Sequence, residues 1–334
     1  MAKGHRPRRG SRAYYPRKRA RSIVARVRRW PQNREGFLGF AGYKVGMLHV
    51  IGVEMNKNSP FYGQERFYAA TVIEVPPLKV VAVRVYEKTP YGKKTLCEVW
   101  AKDLPKDLER VFPLPKDQSY HEEQLKKLEE VKSRVSEVRV LAATQPRLSG
   151  LGKKKPELIE IAVGGPPEKA LSLALEKLGK DLTISDVFKE GDYIDVIAVT
   201  KGKGFQGSVK RFGVEEMPRW HKHRKGHSRI GSVGPQKPAI MFYTPFPGQL
   251  GFHQRTEYNK RILKVGDAES LKEINPPGGW PHYGLVRSQF IIVEGSVPGA
   301  VKRLVRLRHA IRALRVLPPP QITYISTAPW PPAR

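Results

Sequence analysis

Residues 200–264 combine side chains that bind phosphate with side chains that stack on bases. The window contains 14 Lys and Arg against three acids, and Gly, Trp, Phe, Tyr and His lie among the cations. Lys and Arg neutralise phosphates, aromatic rings stack on bases, and glycines let the backbone approach a ligand closely. Such a segment cannot bury itself in a protein core, because its charges would lose their hydration without enough partners. The window therefore predicts binding to a polyanion.

The charge of the whole chain favours nucleic acid as that polyanion. The 334 residues contain 61 Lys and Arg against 31 Asp and Glu, a formal net charge of +30, which strengthens binding to a partner with many phosphates. An anionic membrane is the rival partner, but no segment approaches the ~18 apolar residues of a membrane span, and the basic runs lack a continuous apolar face. We therefore expect no membrane partner and no small-molecule substrate.

Cysteine content and the start of the chain indicate the compartment. Cys97 is the one cysteine, which excludes a disulfide framework and fits a reducing, cytosolic environment. No apolar stretch resembling a secretory signal precedes the first basic residues. We expect a cytoplasmic protein.

Two other binding chemistries find weak support in the basic window. His221, His223 and His227 suggest a metal ion, but the cations around them disfavour a divalent ion. The run TKGKGFQG, residues 200–207, suggests a phosphate loop, but it lacks the final G-K-[ST] triplet and a following helical period. The sequence therefore predicts no metal site and no cofactor.

No set of catalytic residues accompanies the window. Glu215 and Glu216 are adjacent within it, but we interpret them as partners of Lys or Arg, and no GxSxG, HExxH or CxxC motif is present. Asp192 and Asp195 flank a strand-like run, and we interpret them as structural. The sequence predicts no catalytic residues and a protein that is not an enzyme.

A β-rich body must hold this window in place. Residues 36–100 contain short β-branched and aromatic runs separated by Gly, Pro and Asn, which predict antiparallel strands, and strand character returns over residues 181–317. Residues 101–180 contain an acidic run at 122–138 that predicts a helix, then a strand, a turn and a second predicted helix with Pro at its entry and Gly at its exit. The predicted fold is mixed α/β and mainly β, a discontinuous β-barrel interrupted by an α/β insertion at 101–180. Residues 200–254 leave the barrel and return as an arm without an apolar core of its own.

Both ends of the chain have unusual composition. The first 34 residues contain 13 Lys and Arg and no acid, so residues 1–35 are predicted to be a basic extension that buries almost nothing and is disordered in isolation. Its aromatic residues, among them Tyr14 and Tyr15, offer stacking planes for RNA. Residues 301–308 alternate as a strand that would place its arginines on RNA. The tail, residues 318–334, is Pro-rich and cannot form a regular helix.

The arm and the strand before it also have the spacing of a family signature. The signature of the universal large-subunit ribosomal protein L-three family, in its archaeal version, is matched by Phe188, Asp195, Ala198, Thr200, Gly202, Lys203, Gly204, Gly207 and Arg211. The runs GFLGFAGYKVGMLHV, GQLGFHQRTEYNKRI and EGSVPGAVKR look like that family too. The resemblance covers nearly the whole chain and implies a β-barrel of the translation-factor type with an α/β insertion.

For function, the resemblance implies a structural constituent of the large ribosomal subunit that binds large-subunit rRNA directly and acts early in assembly. It implies an arm that extends toward the peptidyl transferase centre and the aminoacyl-tRNA corridor. The implied partners are large-subunit rRNA and neighbouring large-subunit ribosomal proteins, with a single copy per ribosome in the cytoplasm. Any structural magnesium ions would belong to the rRNA.

The candidate rRNA-binding residues follow from the basic runs and from this resemblance. In the amino-terminal extension they are Arg8, Arg9, Arg12, Arg17, Lys18, Arg19, Arg21, Arg28 and Arg29. In the arm and the strand after it they are Lys201, Gly202, Lys203, Gly204, Gly207, Lys210, Arg211, Arg219, Trp220, His221, Lys222, His223, Arg224, Lys225, Arg229, Gln236, Lys237, Gln249, His253, Arg255, Lys260 and Arg261. Near the end of the chain they are Lys302 and Arg303.

Gln236 marks a departure from the family pattern. Many relatives place Trp at the arm tip, where the run IGSVGPQKPA offers Gln236, so an amide hydrogen bond to rRNA would replace indole stacking.

Two other functions stay open on the sequence. A free RNA- or DNA-packaging protein would have the same charge, and an rRNA-processing enzyme would need an active site that no motif reveals. The signature and the doubly interrupted barrel favour the ribosomal function.

Overall fold

The computed structural model describes residues 10–115, 119–222, 224–313 and 317–327, which are mixed α/β and mainly β, as predicted. The strands in this part of the chain are β1 Gly36–Phe37, β2 Gly39–Val53, β3 Glu65–Glu74, β4 Leu78–Thr89, β5 Gly92–Trp100, β6 Glu137–Ala143, β7 Leu158–Gly164, β8 Asp181–Leu182, β9 Tyr193–Val199, β10 Gly202–Gln206, β11 Gly248–Gly251, β12 Gln254–Gly266, β13 Phe290–Glu294, β14 Leu304–His309 and β15 Gln321–Ile325. The α-helices are α1 Ser119–Val131, α2 Pro167–Glu176 and α3 Ser208–Phe212.

The long strand β2 organises the first sheet. It pairs with β3 from Tyr43 to Val53 and, on its other edge, with β14 from Gly39 to Tyr43. The sheet continues from β3 through β13, β12 and β9 to β14, so its six strands close into a ring. β15 pairs with the end of β2. Fully buried apolar side chains, among them Phe40 and Ile292, hold these strands together because their burial removes apolar surface from water.

The second sheet has the strand order β1, β7, β6, β4, β5, with β8 beside β4. β4 is buried on both faces of this sheet. Val80 and Val83 belong to the main core, whereas Val81 packs with Leu108 in a smaller one. A strand buried on both faces gains stability from apolar residues at nearly every position, which explains the run of valines in β4.

The predicted start of the α/β insertion at residue 101 is wrong. β4 pairs with β5 and β6, so residues 78–100 belong to the second sheet and not to the ring. Alternation of apolar residues shows which face of a strand is buried, but the pairing partner depends on distant segments. Pro76 and Pro77 lie between β3 and β4, where the chain passes from the first sheet to the second.

The helices differ from the predictions at their ends. The acidic helix was predicted to continue to Val138, but α1 ends at Val131 and β6 begins at Glu137. α2 begins with Pro at its first position, as predicted, and the chain then turns at Gly179, whose φ is 75°. The run TKGKGFQG was predicted to lack a following helix, yet α3 follows it for five residues.

The chain separates into two compact units. One comprises residues 24–198 and 256–334 and contains both sheets, and the other comprises residues up to 23 with residues 199–255. The predicted basic extension is therefore divided between them. The prediction that it buries almost nothing is wrong for Ala25 and Val27, which are 1% and 7% exposed. Small and branched apolar residues between arginines are enough to attach this part of the extension to the body.

The arginines of β14 were predicted to face RNA, and this is also wrong. Arg306 and Arg308 are 4% and 5% exposed. Arg306 donates to the carbonyl oxygens of Glu160 (2.6 Å) and Ala25 (3.4 Å), and burial lowers its pKa to about 10. β14 lies between β2 and β9, so both of its edges are paired. All six of its residues are buried, so both of its faces are covered as well. Arg306 therefore has backbone acceptors inside the protein for two of its three guanidinium nitrogens.

His309, at the end of β14, is a second buried ionisable group. It is 5% exposed, its ring lies 4.5 Å from that of Phe188, and the Arg34 guanidinium is hydrogen-bonded to it. Burial and the neighbouring charge of Arg34 lower the pKa of His309 from 6.5 to about 4. The folded protein therefore holds this ring neutral at pH 7.

We expect the free energy of unfolding to fall by up to about 3 kcal/mol as the pH decreases from about 6.5 to about 4. The unfolded chain takes a proton on this histidine near pH 6.5, whereas the folded chain does not until about pH 4, so acid favours unfolding across this window. Urea unfolding of the wild-type protein and of His309→Gln over this window measures the effect. The two proteins share all their carboxylates, so a difference between them that does not vary with pH would contradict the expectation.

Candidate nucleic-acid interface

The base of the arm is a pair of strands followed by a short helix. β10 and β11 pair antiparallel, with Phe205 opposite Gln249. α3 follows β10 and ends at Gly213, whose left-handed backbone (φ 68°) terminates the helix as is common at helix ends. Phe212 in α3 is 4% exposed. The arm was predicted to lack an apolar core, and Phe212 is a buried apolar side chain at its base.

Arg211 holds this base together. Its guanidinium donates to the carbonyl oxygens of Phe246 (2.8 Å), Arg17 (2.9 Å) and Gln249 (3.1 Å). Burial, with the charge of Arg17 nearby, lowers the pKa of Arg211. The planar guanidinium suits this role because it presents several donors in one fixed fork. Arg211 was predicted to bind rRNA, and three of its five N–H donors are bonded within the protein.

Tyr15 attaches the amino-terminal segment to the arm. Its ring stacks on Phe212 at a centroid distance of 6.1 Å and meets Phe242 at 5.4 Å. Its hydroxyl donates to the Tyr243 carbonyl (3.2 Å), and Arg12 lies 4.0 Å above the Tyr243 ring. Each aromatic or cation–π contact of this kind contributes on the order of 1 kcal/mol. Tyr15, predicted as a stacking plane for RNA, stacks on protein rings instead.

His253 anchors the next stretch of the same segment. Its Nδ1 lies 2.9 Å from the Lys18 carbonyl oxygen, and the Ala20 amide donates to the Phe252 carbonyl (2.8 Å). Burial lowers the pKa of His253, and its neutral ring donates from Nδ1. Only 8% of His253 is exposed, so this predicted rRNA ligand is bonded to backbone and presents little of its ring to solvent.

Arg261 is a further predicted rRNA ligand that the fold buries. It is 4% exposed, its guanidinium lies 3.5 Å from the Glu54 carboxylate, and it donates to the Pro318 carbonyl. Glu54 also accepts from the Tyr68 hydroxyl (2.8 Å). A buried charge needs such partners, so Arg261 stabilises the ring of strands and is not available to RNA.

The outer part of the arm, in its described residues, consists of irregular backbone and turns. Trp220 is 67% exposed, with the Arg224 guanidinium 5.6 Å from its ring. The Met217 amide donates to the His227 carbonyl (2.9 Å), and the His227 ring lies 3.2 Å from the Glu216 carboxylate. Glu216 was predicted to pair with Lys or Arg, and its observed partner is histidine.

The other candidate residues differ in how far they reach solvent. The exposed ones are Arg12, Lys18, Arg19, Arg21, Arg28, Arg29, Lys201, Gly202, Lys203, Gly204, Gly207, Lys210, Arg219, Trp220, His221, Lys222, Arg224, Lys225, Arg229, Gln236, Lys237 and Lys302. The half-buried ones are Arg17, Gln249, Arg255, Lys260 and Arg303. Arg8, Arg9 and His223 lie outside the described residues. Exposed cations in this number are able to neutralise many phosphates.

Two half-buried candidates make contacts within the same compact unit as the arm. Arg255 lies 4.5 Å above the ring of Tyr14, which is 54% exposed. The Gln249 amide donates to the carbonyl oxygens of Leu250 and Gly251. These anchoring roles were not predicted from the sequence, although aromatic residues between arginines were the signal that could have revealed them.

We searched the described part of the chain for clusters of metal ligands and for helices that could span a membrane. No three His, Cys, Asp or Glu side chains in the described ranges lie close enough to hold a metal ion. No helix within those ranges is long and apolar enough to cross a membrane.

A β-rich body and an arm with exposed cations, glycines and an indole define a nucleic-acid-binding protein. The family model described as ribosomal protein L3 matches residues 1–328. The chain belongs to this family, whose members are structural ribosomal proteins and not enzymes.

Several curated archaeal proteins are similar over almost their full length. The large ribosomal subunit protein uL3 of Pyrobaculum aerophilum is 54% identical over 333 residues, covering 97% of this chain and 98% of the relative. The protein of the same name from Archaeoglobus fulgidus is 52% identical over 336 residues, with 97% and 98% covered. That of Methanothermobacter thermautotrophicus is 50% identical over 333 residues, with 98% of each chain covered. The archaeal family resemblance expected from the signature is confirmed.

Proposed function

We propose that this chain is a structural constituent of the large ribosomal subunit, in the cytoplasmic ribosome, and that it binds large-subunit rRNA directly and early in assembly. The observation that carries the proposal is the ribosomal protein L3 family match over residues 1–328. The net charge of +30 supports it, because rRNA is the polyanion that such a charge binds. No particular observation favours a packaging protein or an rRNA-processing enzyme.

We infer that the ring of β2, β3, β13, β12, β9 and β14 is a barrel of the translation-factor type. The closure of these strands through the β14 to β2 pairing supports this. The α/β insertion would then extend from β4 to β8, since both lie in the second sheet. The arm, residues 200–254, would leave this barrel after β9 and return at β12.

The exposed cations of the arm and of the amino-terminal segment are the proposed rRNA contacts. The arm would extend toward the peptidyl transferase centre and the aminoacyl-tRNA corridor, with Gln236 near its tip. The exposure of Gln236 and of the neighbouring Lys237 supports this role, because neither contributes to a core. Neighbouring ribosomal proteins would be the other partners, with one copy of the chain per ribosome.

We expect the native protein to sediment with large subunits, one chain per subunit, through a wash at about 0.5–1 M salt. Contacts made only with phosphates weaken steeply with salt, whereas an arm enclosed by folded rRNA is retained by the surrounding RNA. Quantitative mass spectrometry of washed subunits gives the stoichiometry. Purified protein added to finished subunits is the control and should wash off. A native protein that is found free, or that leaves in the wash, would contradict the proposal.

A further inference from the structure

Phe205 is an apolar ring that the fold leaves uncovered. It is 76% exposed, more than any other large apolar side chain in the described part of its unit. In a sheet, a ring of this kind usually packs against the residue opposite. The residue opposite is Gln249, whose amide turns to the backbone carbonyls of Leu250 and Gly251. At the position opposite the ring, β11 therefore presents a polar residue.

The backbone around Phe205 is held in a defined shape. The register of β10 and β11 shifts between Gly202 and Phe205, which inserts an extra residue in β10. Gly204 accommodates the extra residue with a φ of 67°. The side-chain amide of Gln206 donates to the Lys203 carbonyl oxygen (2.7 Å). Bulges of this kind redirect a side chain, and Gly204 is suited to the left-handed conformation.

The opposite strand is held as well. Arg211 donates to the Gln249 carbonyl (3.1 Å) and to the Phe246 carbonyl (2.8 Å), which attaches β11 to α3. The exposed ring therefore projects from a fixed platform and not from a loose loop. A ring held in place loses little conformational entropy when a ligand stacks on it.

The charges near Phe205 in the sequence indicate which class of ligand its ring would bind. Lys201, Lys203 and Lys210 are exposed, and no Asp or Glu occurs between Asp195 and Glu215. An apolar ring among cations fits a nucleotide, whose base has a flat π-face and whose flanking phosphates are negative. A protein partner would need acidic side chains around an apolar patch to match the same surface.

We propose that Phe205 stacks on an unpaired base of the rRNA, with Lys201 and Lys203 at the flanking phosphates. This inference rests on the proposed rRNA-binding function and assigns one contact within it. The Phe205 ring contacts the flat face of a base, which all four bases have, so the site does not distinguish between bases. It prefers RNA with unstacked bases to duplex RNA.

The test measures binding of the full-length protein to an in vitro transcript of large-subunit rRNA over a range of salt. Phe205→Leu should weaken binding roughly 5- to 150-fold, the worth of one base–aromatic stack, without changing the salt slope, because the substitution removes no charge. Phe205→Trp should restore binding. Lys203→Gln should instead lower the salt slope by about 1.

Phe67→Leu is the matched control. Phe67 is also an exposed phenylalanine in a strand, 61% exposed in β3, and its substitution should leave rRNA affinity unchanged. Equal affinity of Phe205→Leu and wild type, or equal losses in both Leu variants, would overturn the inference while leaving the proposed function intact. It would also be overturned if Phe205→Leu bound the transcript normally but was lost from washed subunits, which would indicate a protein contact. Failure of the wild type to prefer this transcript over unrelated RNA of the same length would count against the proposed function itself.

Discussion

Replacing Asp195 with Asn should lower the free energy of unfolding by about 3–5 kcal/mol. Asp195 is fully buried, and its carboxylate accepts from the Arg308 guanidinium at 2.9 and 3.1 Å. It also accepts from the backbone amides of Asn259 (3.1 Å) and Ile311 (3.3 Å). The variant leaves the Arg308 charge buried without its counter-ion, and a lone buried charge costs much more than an exposed one.

Glu122→Gln provides the control for Asp195. Glu122 lies 3.9 Å from Lys102, and their side chains are 73% and 54% exposed, so breaking this pair should change stability by less than about 1 kcal/mol. A double variant, Asp195→Leu with Arg308→Met, should be more stable than Asp195→Asn because it removes both charges. Urea unfolding at neutral pH measures all of these. A loss below about 1 kcal/mol in Asp195→Asn would contradict the role given to this pair.

Replacing residues 215–240 with a Gly-Ser sequence of the same length should weaken binding to rRNA more than about 100-fold at ~0.1 M salt. The replaced stretch contains six Lys and Arg and two Glu, and the salt slope falls by roughly 0.7–0.9 for each phosphate that the protein no longer neutralises. The replacement retains Phe242, Tyr243 and Phe246, which contact the amino-terminal segment and Arg211. The base of the arm should therefore stay folded, and the unfolding midpoint should not change.

A second replacement separates charge from shape in the outer arm. The same Gly-Ser sequence with its six cations restored should regain most of the affinity for free rRNA. It should still fail to support normal subunit maturation or tRNA selection, because it lacks Trp220 and Gln236. Chemical probing of rRNA in subunits carrying each variant would locate the defect. Normal protection near the peptidyl transferase centre in both variants would contradict the proposed destination of the arm.

The sequence identified the residues of the family signature, and the structure shows which contacts they make. Asp195, Phe188 and Arg211 were recognised by spacing, and Asp195 was correctly interpreted as structural. The structure adds the reason, since Asp195 neutralises a buried arginine, Phe188 packs on His309, and Arg211 joins three carbonyl oxygens. Asp195 and Phe188 therefore make contacts within the unit that contains the sheets, and Arg211 makes contacts within the other unit. Lys203 and the exposed glycines remain as the members available to RNA.

The sheets show the limit of local patterns. Alternating apolar residues located most strands, because side chains in a strand point alternately to opposite faces. The same pattern placed β4 and β5 in the wrong sheet, because strand pairing depends on contacts with β6, which lies some 50 residues further along the chain. The end of α1 was predicted seven residues too late, at Val138 and not at Val131.

The sequence by itself determined that this protein binds a polyanion, that it is mainly β, and that it resembles a ribosomal family. Net charge, apolar periodicity and motif spacing are properties of the chain that folding does not change. Only the tertiary structure decided which cations are available. Lys203 and Arg224 reach solvent, whereas Arg261, Arg306 and Arg308 are enclosed. The physical reason is that burial depends on which distant strands cover a residue, and a buried guanidinium is stable only where those strands supply its acceptors.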